Sequence, residues 1–359
     1  MTKYILKRLI LALITLIIAL TITFFLLRLI NREPTAITNE ISKLQSNAKH
    51  TSQKDIRELV YQKYNYHPEW NIFKAFGNYI SGIFHNDFGF YYKKPLNTIP
   101  HQFAKPLKYT FLVAGTGFLF GTILGVTFGI VAGYKRGRWP DIALNIFATL
   151  FVAIPSFVLA AILVLTANKT GWPTQFLSPE LAGGTWKMMK TLLLPILIIT
   201  LFSFATITYY IRNEVVEVLK SDYVSTARSK GIKETDIFFR HVMRNISIPA
   251  VTIILPRFIF IIMGSLIIEL FFNVPGTAHI FGTAVINYEY NIIMFSILFF
   301  ASLSLLLNIM MDVLYTILDP RIKLAEKSQF SILERLKKNY KRRKYALEIR
   351  KEKGGVKNE

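Results

Sequence analysis

Residues 109–133 read YTFLVAGTGFLFGTILGVTFGIVAG. None of these 25 residues is charged. At about 1.5 Å per residue such a helix is long enough for a hydrocarbon core of roughly 30 Å. Gly117, Gly121, Gly125, Gly129 and Gly133 recur at every fourth position, so they stack on one helical face as a backbone-exposed ridge. Lipid gives helices no hydrophobic reward for associating, and small residues that let backbones touch are how they pack. The stretch therefore predicts a spanning helix pressed against a neighbour inside a bundle.

Working outward, five more apolar segments have spanning length: 9–27, 142–167, 191–211, 250–272 and 292–318. Arg257 and Glu269 interrupt the fifth span of the six, and Asp312 the sixth. The first segment is too long, and lacks the small-residue cleavage site, for a signal peptide; it is read as span 1. The predicted fold class is all-α integral membrane, with six transmembrane helices. Composition agrees: of 359 residues 52% are hydrophobic and 18% charged, yet 43 Lys+Arg face 22 Asp+Glu for a net charge of +21. That balance excludes a soluble single-core enzyme and a disordered chain. The absence of cysteine excludes a disulfide scaffold, a thiolate zinc site and a cysteine nucleophile. The basic excess reads as orientation in a membrane rather than nucleic-acid binding.

Lys and Arg in the gaps set that orientation. Three precede span 1, three lie in 134–141, seven in 212–249 and fourteen after Leu318, against none in 273–291 and three in 168–190. The eleven in 31–108 sit in a segment longer than the roughly 60 residues over which the charge rule acts. Both termini are thus expected in the cytoplasm. The domain organisation follows as 1–30 (N-terminus and span 1), an external segment 31–108, a five-span core 109–318 with a cytoplasmic segment 212–249, and a basic tail 319–359. In the external segment Trp70, Ile72, Phe73, Phe76, Tyr79, Ile80, Ile83 and Phe84 recur at near-helical spacing between Pro68 and Gly89, which predicts amphipathic helices on the outer span ends. In the tail, Phe330, Leu333, Leu336 and Tyr340 alternate with basic residues, the pattern of a helix lying on the anionic inner leaflet, so membrane lipid is an expected partner.

The cytoplasmic segment carries the pattern with most functional content. Ser221 or Asp222 can cap a short helix and Gly231 can end it in a left-handed position. Glu234–Asp236 start a second helix, which Pro249 is expected to separate from span 5. Tyr223, Val224, Ala227, Ile237 and Phe238 supply apolar contacts. A charged, amphipathic elbow between two spans is what a membrane protein needs to receive a push from a soluble partner.

The run Ser225-Thr226-Ala227…Gly231, followed by Ile246-Ser247-Ile248-Pro249, resembles the EAA coupling loop of ABC-importer permeases. Among these the chain is similar to the B-type subunit of oligopeptide and dipeptide importers. Further matches, in order, are GIFHNDFG at 82–89, Lys135-Arg136-Gly137, Ile154-Pro155-Ser156-Phe157, residues 264–269 with Pro275-Gly276, and Asp319-Pro320-Arg321. The chain departs from the pattern at Ser225 and Thr226, where the generic loop has Glu and Ala. It departs again at Asn31-Arg32-Glu33-Pro34, at Ala278, and in a long tail.

The resemblance implies a type I importer half-channel in the bacterial plasma membrane. It implies three kinds of partner: a homologous C-type permease, two cytosolic ATPases and an extracytoplasmic peptide-binding protein. ATP and Mg would sit on the ATPases, and no cofactor on this chain, which has no G-x-x-x-x-G-K-[ST]. Tyr223, Thr226, Ala227, Arg228, Lys230, Gly231 and Arg240 would meet an ATPase.

Two other functional classes make demands that the residues do not meet. An intramembrane enzyme would need paired catalytic side chains in the spans, but His50, His67, His85, His101, His241 and His279 all fall outside them. A secondary transporter would need a midplane coupling carboxylate, whereas the charges here lie toward span ends. The importer subfamily also carries nickel, glutathione and other small solutes. Asn145, Ser203, Ser265 and Asn308 are polar candidates for the substrate path, with hydrogen bonding inside the bundle as their other role. Arg257 and Asp312 lie at matched depth in spans 5 and 6 and are expected to pair as a structural lock.

Overall fold

The glycine ridge predicted at 109–133 meets a partner along its whole length. In the computed structural model, which describes residues 2–30, 32–47, 52–93 and 98–318, span 2 is a continuous helical rod. It comprises α5 (Ile99–Thr110), a π-helical segment Phe111–Gly115 and α6 (Thr116–Tyr134). Its neighbour is α10 (Thr185–Leu219), 35 residues long, and this is the most extensive helix pairing in the chain. Each step of four along α6 moves the contact four along α10: Gly117 faces Ile199, Gly121 Ser203, Gly125 Ile207, Gly129 Ile211 and Gly133 Val215. The two helices therefore run parallel.

The remaining elements are α1 (Thr2–Ile30), α2 (Thr35–Asn47), α3 (Gln53–Lys63), α4 (Ile72–Phe84), α7 (Trp139–Ala153), α8 (Ser156–Lys169), α9 (Pro179–Ala182), α11 (Asp222–Ser229), α12 (Glu234–Ile237), α13 (Arg244–Gly264), α14 (Leu266–Phe271), α15 (Thr277–Ile286) and α16 (Tyr290–Leu318). Among the described residues there is no β-strand. Five helical stretches among the described residues are long and apolar enough to cross a membrane, and six if one bent pair counts as a single span. That pair is α7 and α8. The segment 142–167, expected as one helix, turns by 100° after α7. Pro155 at the head of α8 explains the break, because it forces Ile154 into extended backbone (ψ 124°).

The second departure runs the other way. Pro249 does not separate the cytoplasmic helix from span 5; helix is unbroken from α12 through a π-helical segment Phe238–Met243 into α13, with Pro249 and Pro256 inside it. Membrane helices tolerate proline where local π adjustment re-satisfies the freed carbonyls. The rod from Glu234 to Gly264 thus joins the coupling segment to span 5 without a hinge at the proline.

Between α1 and α5 the chain forms the expected amphipathic helices. Ile37 and Ile41 of α2 interlock with Ile56 and Val60 of α3 and with Tyr64 and Tyr92. Phe24 and Phe25 of α1 meet Phe73, Phe76 and Tyr79 of α4 with ring centroids 5.2–5.9 Å apart. Two larger cores sit at opposite ends of α10. Leu192, Ile196 and Ile199 join the one that holds Val113, Phe272 and Ile292, and Ile207, Ile211 and Val215 the one beneath α11. The chain divides into two units, Met1–Ile309 and Met310–Glu359, and the tail expected as a basic helix lies outside the described residues.

Candidate functional site

The 221–249 segment forms a short hairpin with a buried and an exposed side. Val224 and Ala227 of α11, Ile237 of α12, Val242 and Ile246 are all buried, and they pack with Ile211, Val215 and Val218 of α10. Gly231 ends α11 with φ +74°, the left-handed backbone that glycine adopts freely. Its N–H donates to the Arg228 carbonyl (2.9 Å) and that of Ile232 to Ala227 (3.2 Å), closing the turn. Across the turn the Arg228 guanidinium donates through Nε to Glu234 Oε1 at 2.7 Å. Tyr223, Thr226, Arg228, Lys230, Gly231 and Arg240 are exposed. Ala227 is the exception among the seven predicted residues, being 4% exposed and turned into the chain's own core. The hairpin surface also carries Phe239, a residue with no periodic signal in the sequence, which is 69% exposed between Phe238 and Arg240.

A carboxylate clamp braces the neighbouring inter-span turn. Asp141, 3% exposed, accepts from Arg212 Nε (3.0 Å) and Nη2 (2.8 Å), from the Gly137 N–H (2.9 Å) and from Asn145 Nδ2 (2.5 Å). It therefore ties the 135–138 turn and α7 to α10. Breaking a fully buried pair costs ~3–5 kcal/mol. With the Arg212 side chain 22% exposed, Asp141→Ala should cost about 2–3 kcal/mol by the same reasoning. Thermal unfolding should show that loss, and Asp141→Ala with Arg212→Met should recover part of it.

At the opposite end, Glu269 of α14 is fully buried and accepts from Thr110 Oγ1 (2.8 Å), Ser265 Oγ (2.9 Å) and the His279 N–H (3.1 Å). Thr110 also accepts from the Thr277 N–H (2.8 Å), so one carboxylate organises the ends of α5, α14 and α15. A Cβ on Gly276 would overlap that carboxylate. Glu289, 2% exposed, accepts from the backbone N–H groups of Tyr92 and Lys93 at 3.0 Å each. Burial pushes its carboxyl up to about 7. The folded state then holds a proton that the unfolded chain releases nearer 4.5. Stability should therefore fall as pH rises from about 4.5 to about 7 and level off above, by at most ~3.5 kcal/mol at ~1.4 kcal/mol per pH unit. Melting curves of Glu289→Gln should lack that slope.

The polar candidates for a substrate path occupy varied places. Asn145 belongs to the Asp141 clamp. Ser203 is fully buried with its Cβ against Gly121, and Ser265 donates to Glu269. Asn308 is exposed on α16. Arg257 donates from Nη2 to Thr206 Oγ1 at 2.6 Å, while Asp312 falls in the separate unit Met310–Glu359.

The comparisons with known proteins bear on this arrangement. Residues 125–324 match the family model described as "Binding-protein-dependent transport system inner membrane component". The chain is 33% identical over 344 residues to the "Oligopeptide transport system permease protein OppB" of Mycoplasma genitalium, covering 94% of this chain and 81% of that one. The proteins of the same name from Haemophilus influenzae and Salmonella typhimurium are each 31% identical, over 90% of this chain and all of theirs. The architecture is thus the type I ABC permease fold, a multi-pass protein of the bacterial plasma membrane. This chain belongs to the family of binding-protein-dependent transport system inner membrane components.

Proposed function

We propose that the chain is one of two permease subunits of an ATP-driven oligopeptide importer, and that residues 221–249 couple it to the cytosolic ATPases. The observation that supports this reading is the two-sided hairpin. Its apolar side is locked to α10, and its second limb continues without a break into α13. A push on the exposed side, at Tyr223, Thr226, Lys230, Phe239 and Arg240, would therefore move spans 4 and 5 as rods. Relatives named as oligopeptide permeases support the substrate class. The further partners are a homologous C-type permease and an extracytoplasmic peptide-binding protein, with ATP and Mg held by the ATPases.

Reconstitution of the assembled transporter in liposomes tests the proposal. ATP-dependent uptake of a labelled oligopeptide is expected, and it should require the binding protein. Uptake of nickel or glutathione but not peptide would overturn the substrate. Uptake that persists without the ATPases and follows an ion gradient would overturn the mechanism.

A further inference from the structure

A cavity of about 460 Å³ opens in the part of the molecule built by 31–108, between the end of α1, α4 and the start of α16. Its wall changes character with depth. Phe24 and Leu27 of α1 and Met294 of α16, which lie inside the spanning helices, are apolar; Arg28 and Arg32, at and beyond the end of α1, are cationic. Arg28 is fixed in place, because its Nη2 donates to the backbone carbonyls of His67, Pro68 and Trp70 at 3.0–3.3 Å. Those partners are neutral, so they orient the guanidinium without cancelling its charge. The one lining carboxylate, Asp87, accepts the Gly89 N–H. Tyr79 Oη, also on the wall, is buried and has no hydrogen-bond partner. A buried hydroxyl without a partner is unfavourable, and a ligand oxygen would relieve it.

The surroundings point to where such a ligand comes from. On α4 beside the cavity Phe73 is 71% and Phe84 84% exposed, and on α1 Leu29 is 75% exposed next to Arg28. Large apolar side chains displayed around a cationic, aromatic pocket at the end of a span match the headgroup boundary of a bilayer. We propose that this cavity binds the headgroup phosphate of an anionic phospholipid, its acyl chain running down α1 past Leu27 and Phe24. Arg28 and Arg32 meet the phosphate and Tyr79 Oη donates to a headgroup oxygen. A soluble phosphate or a peptide carboxylate shares the anionic chemistry but not the need for that apolar floor.

The test uses the full-length chain in detergent, with binding of phosphatidylglycerol read by native mass spectrometry and by the shift of the melting temperature. Phosphatidylglycerol should bind and raise the melting temperature; phosphatidylcholine, whose charge is internally balanced, should bind at least 5-fold more weakly. Arg28→Gln should weaken phosphatidylglycerol at least 5-fold. Should Arg28→Gln fail to fold, Arg32→Gln and Tyr79→Phe decide the matter, since neither side chain makes a hydrogen bond among the described residues; each should weaken binding at least 2-fold. Unchanged affinity in the folded variants, equal binding of the two lipids, or full competition by soluble glycerol phosphate or a free peptide would overturn the proposal.

Discussion

Gly121→Val should prevent the chain from reaching its native bundle. A Cβ at Gly121 lies 2.5 Å from the Ser203 Cβ and 2.7 Å from the Thr200 carbonyl oxygen. The second of these is backbone, so no rotamer change clears it, and α6 has to move off α10. Overpacking by a methylene or so costs about 1–3 kcal/mol in well-packed cores. A valine adds more than that, at the second of five registered glycine contacts, so a loss of ~3 kcal/mol or more is expected by the same reasoning. The readout is the melting temperature and the yield of folded protein after detergent extraction. Gly77→Ala is the control. A Cβ there meets nothing within 4 Å, and in an exposed helix alanine is favoured over glycine by about 0.5–1 kcal/mol. If both variants melted like the wild type, the ridge would not be the contact that builds the bundle.

Gly231→Val should abolish coupled uptake while leaving a protein that still inserts. The position differs from Gly121 in kind: nothing lies within 4 Å of its Cβ, and the restriction is the backbone itself, at φ +74°. A β-branched residue is disfavoured there by roughly 1–2 kcal/mol or more. That strain falls on one turn of α11, far less than is needed to unfold the whole chain, but enough to shift the exposed residues of α11. Transport should drop at least 10-fold, with peptide-stimulated ATP hydrolysis lost alongside it, and Gly231→Asn should retain most of both because Asn tolerates the left-handed region. Wild-type uptake by Gly231→Val at normal abundance would remove the hairpin from the coupling route.

What could be seen in the sequence and what could not separates along physical lines. The glycine ridge was legible because packing in lipid leaves its mark locally, as a four-residue period on one helix; its partner α10 carries no such mark, since Ser203, Ile207 and Ile211 are ordinary spanning residues. Gly231 was legible as a helix end, because left-handed backbone selects glycine. The two prolines were misread in opposite senses. Pro155 bends span 3, whereas Pro249 lies inside the continuous helix α13, and no local feature of either sequence tells these outcomes apart. The clamps were invisible for another reason. Asp141 meets Arg212 across 71 positions and Glu269 meets Thr110 across 159, so each carboxylate shows in the sequence only as a charge near apolar residues. The resemblance puts Ala227 against an ATPase, while in the structure Ala227 lies on the side of α11 that covers the chain's own core, because an amphipathic helix also has to bury its apolar face.

Crosslinking from the hairpin tests the account most directly, and the chain is suited to it because it contains no cysteine. Single cysteines placed at Thr226, Lys230 and Arg240, all exposed, can be fitted with a short bifunctional reagent in the assembled, membrane-embedded transporter. The account predicts adducts to an ATPase subunit from all three positions, with yields that change when ATP is bound, and none from a cysteine at Phe84 on the 31–108 side. Adducts from Phe84 but none from the hairpin, or hairpin adducts only to the other permease, would contradict it.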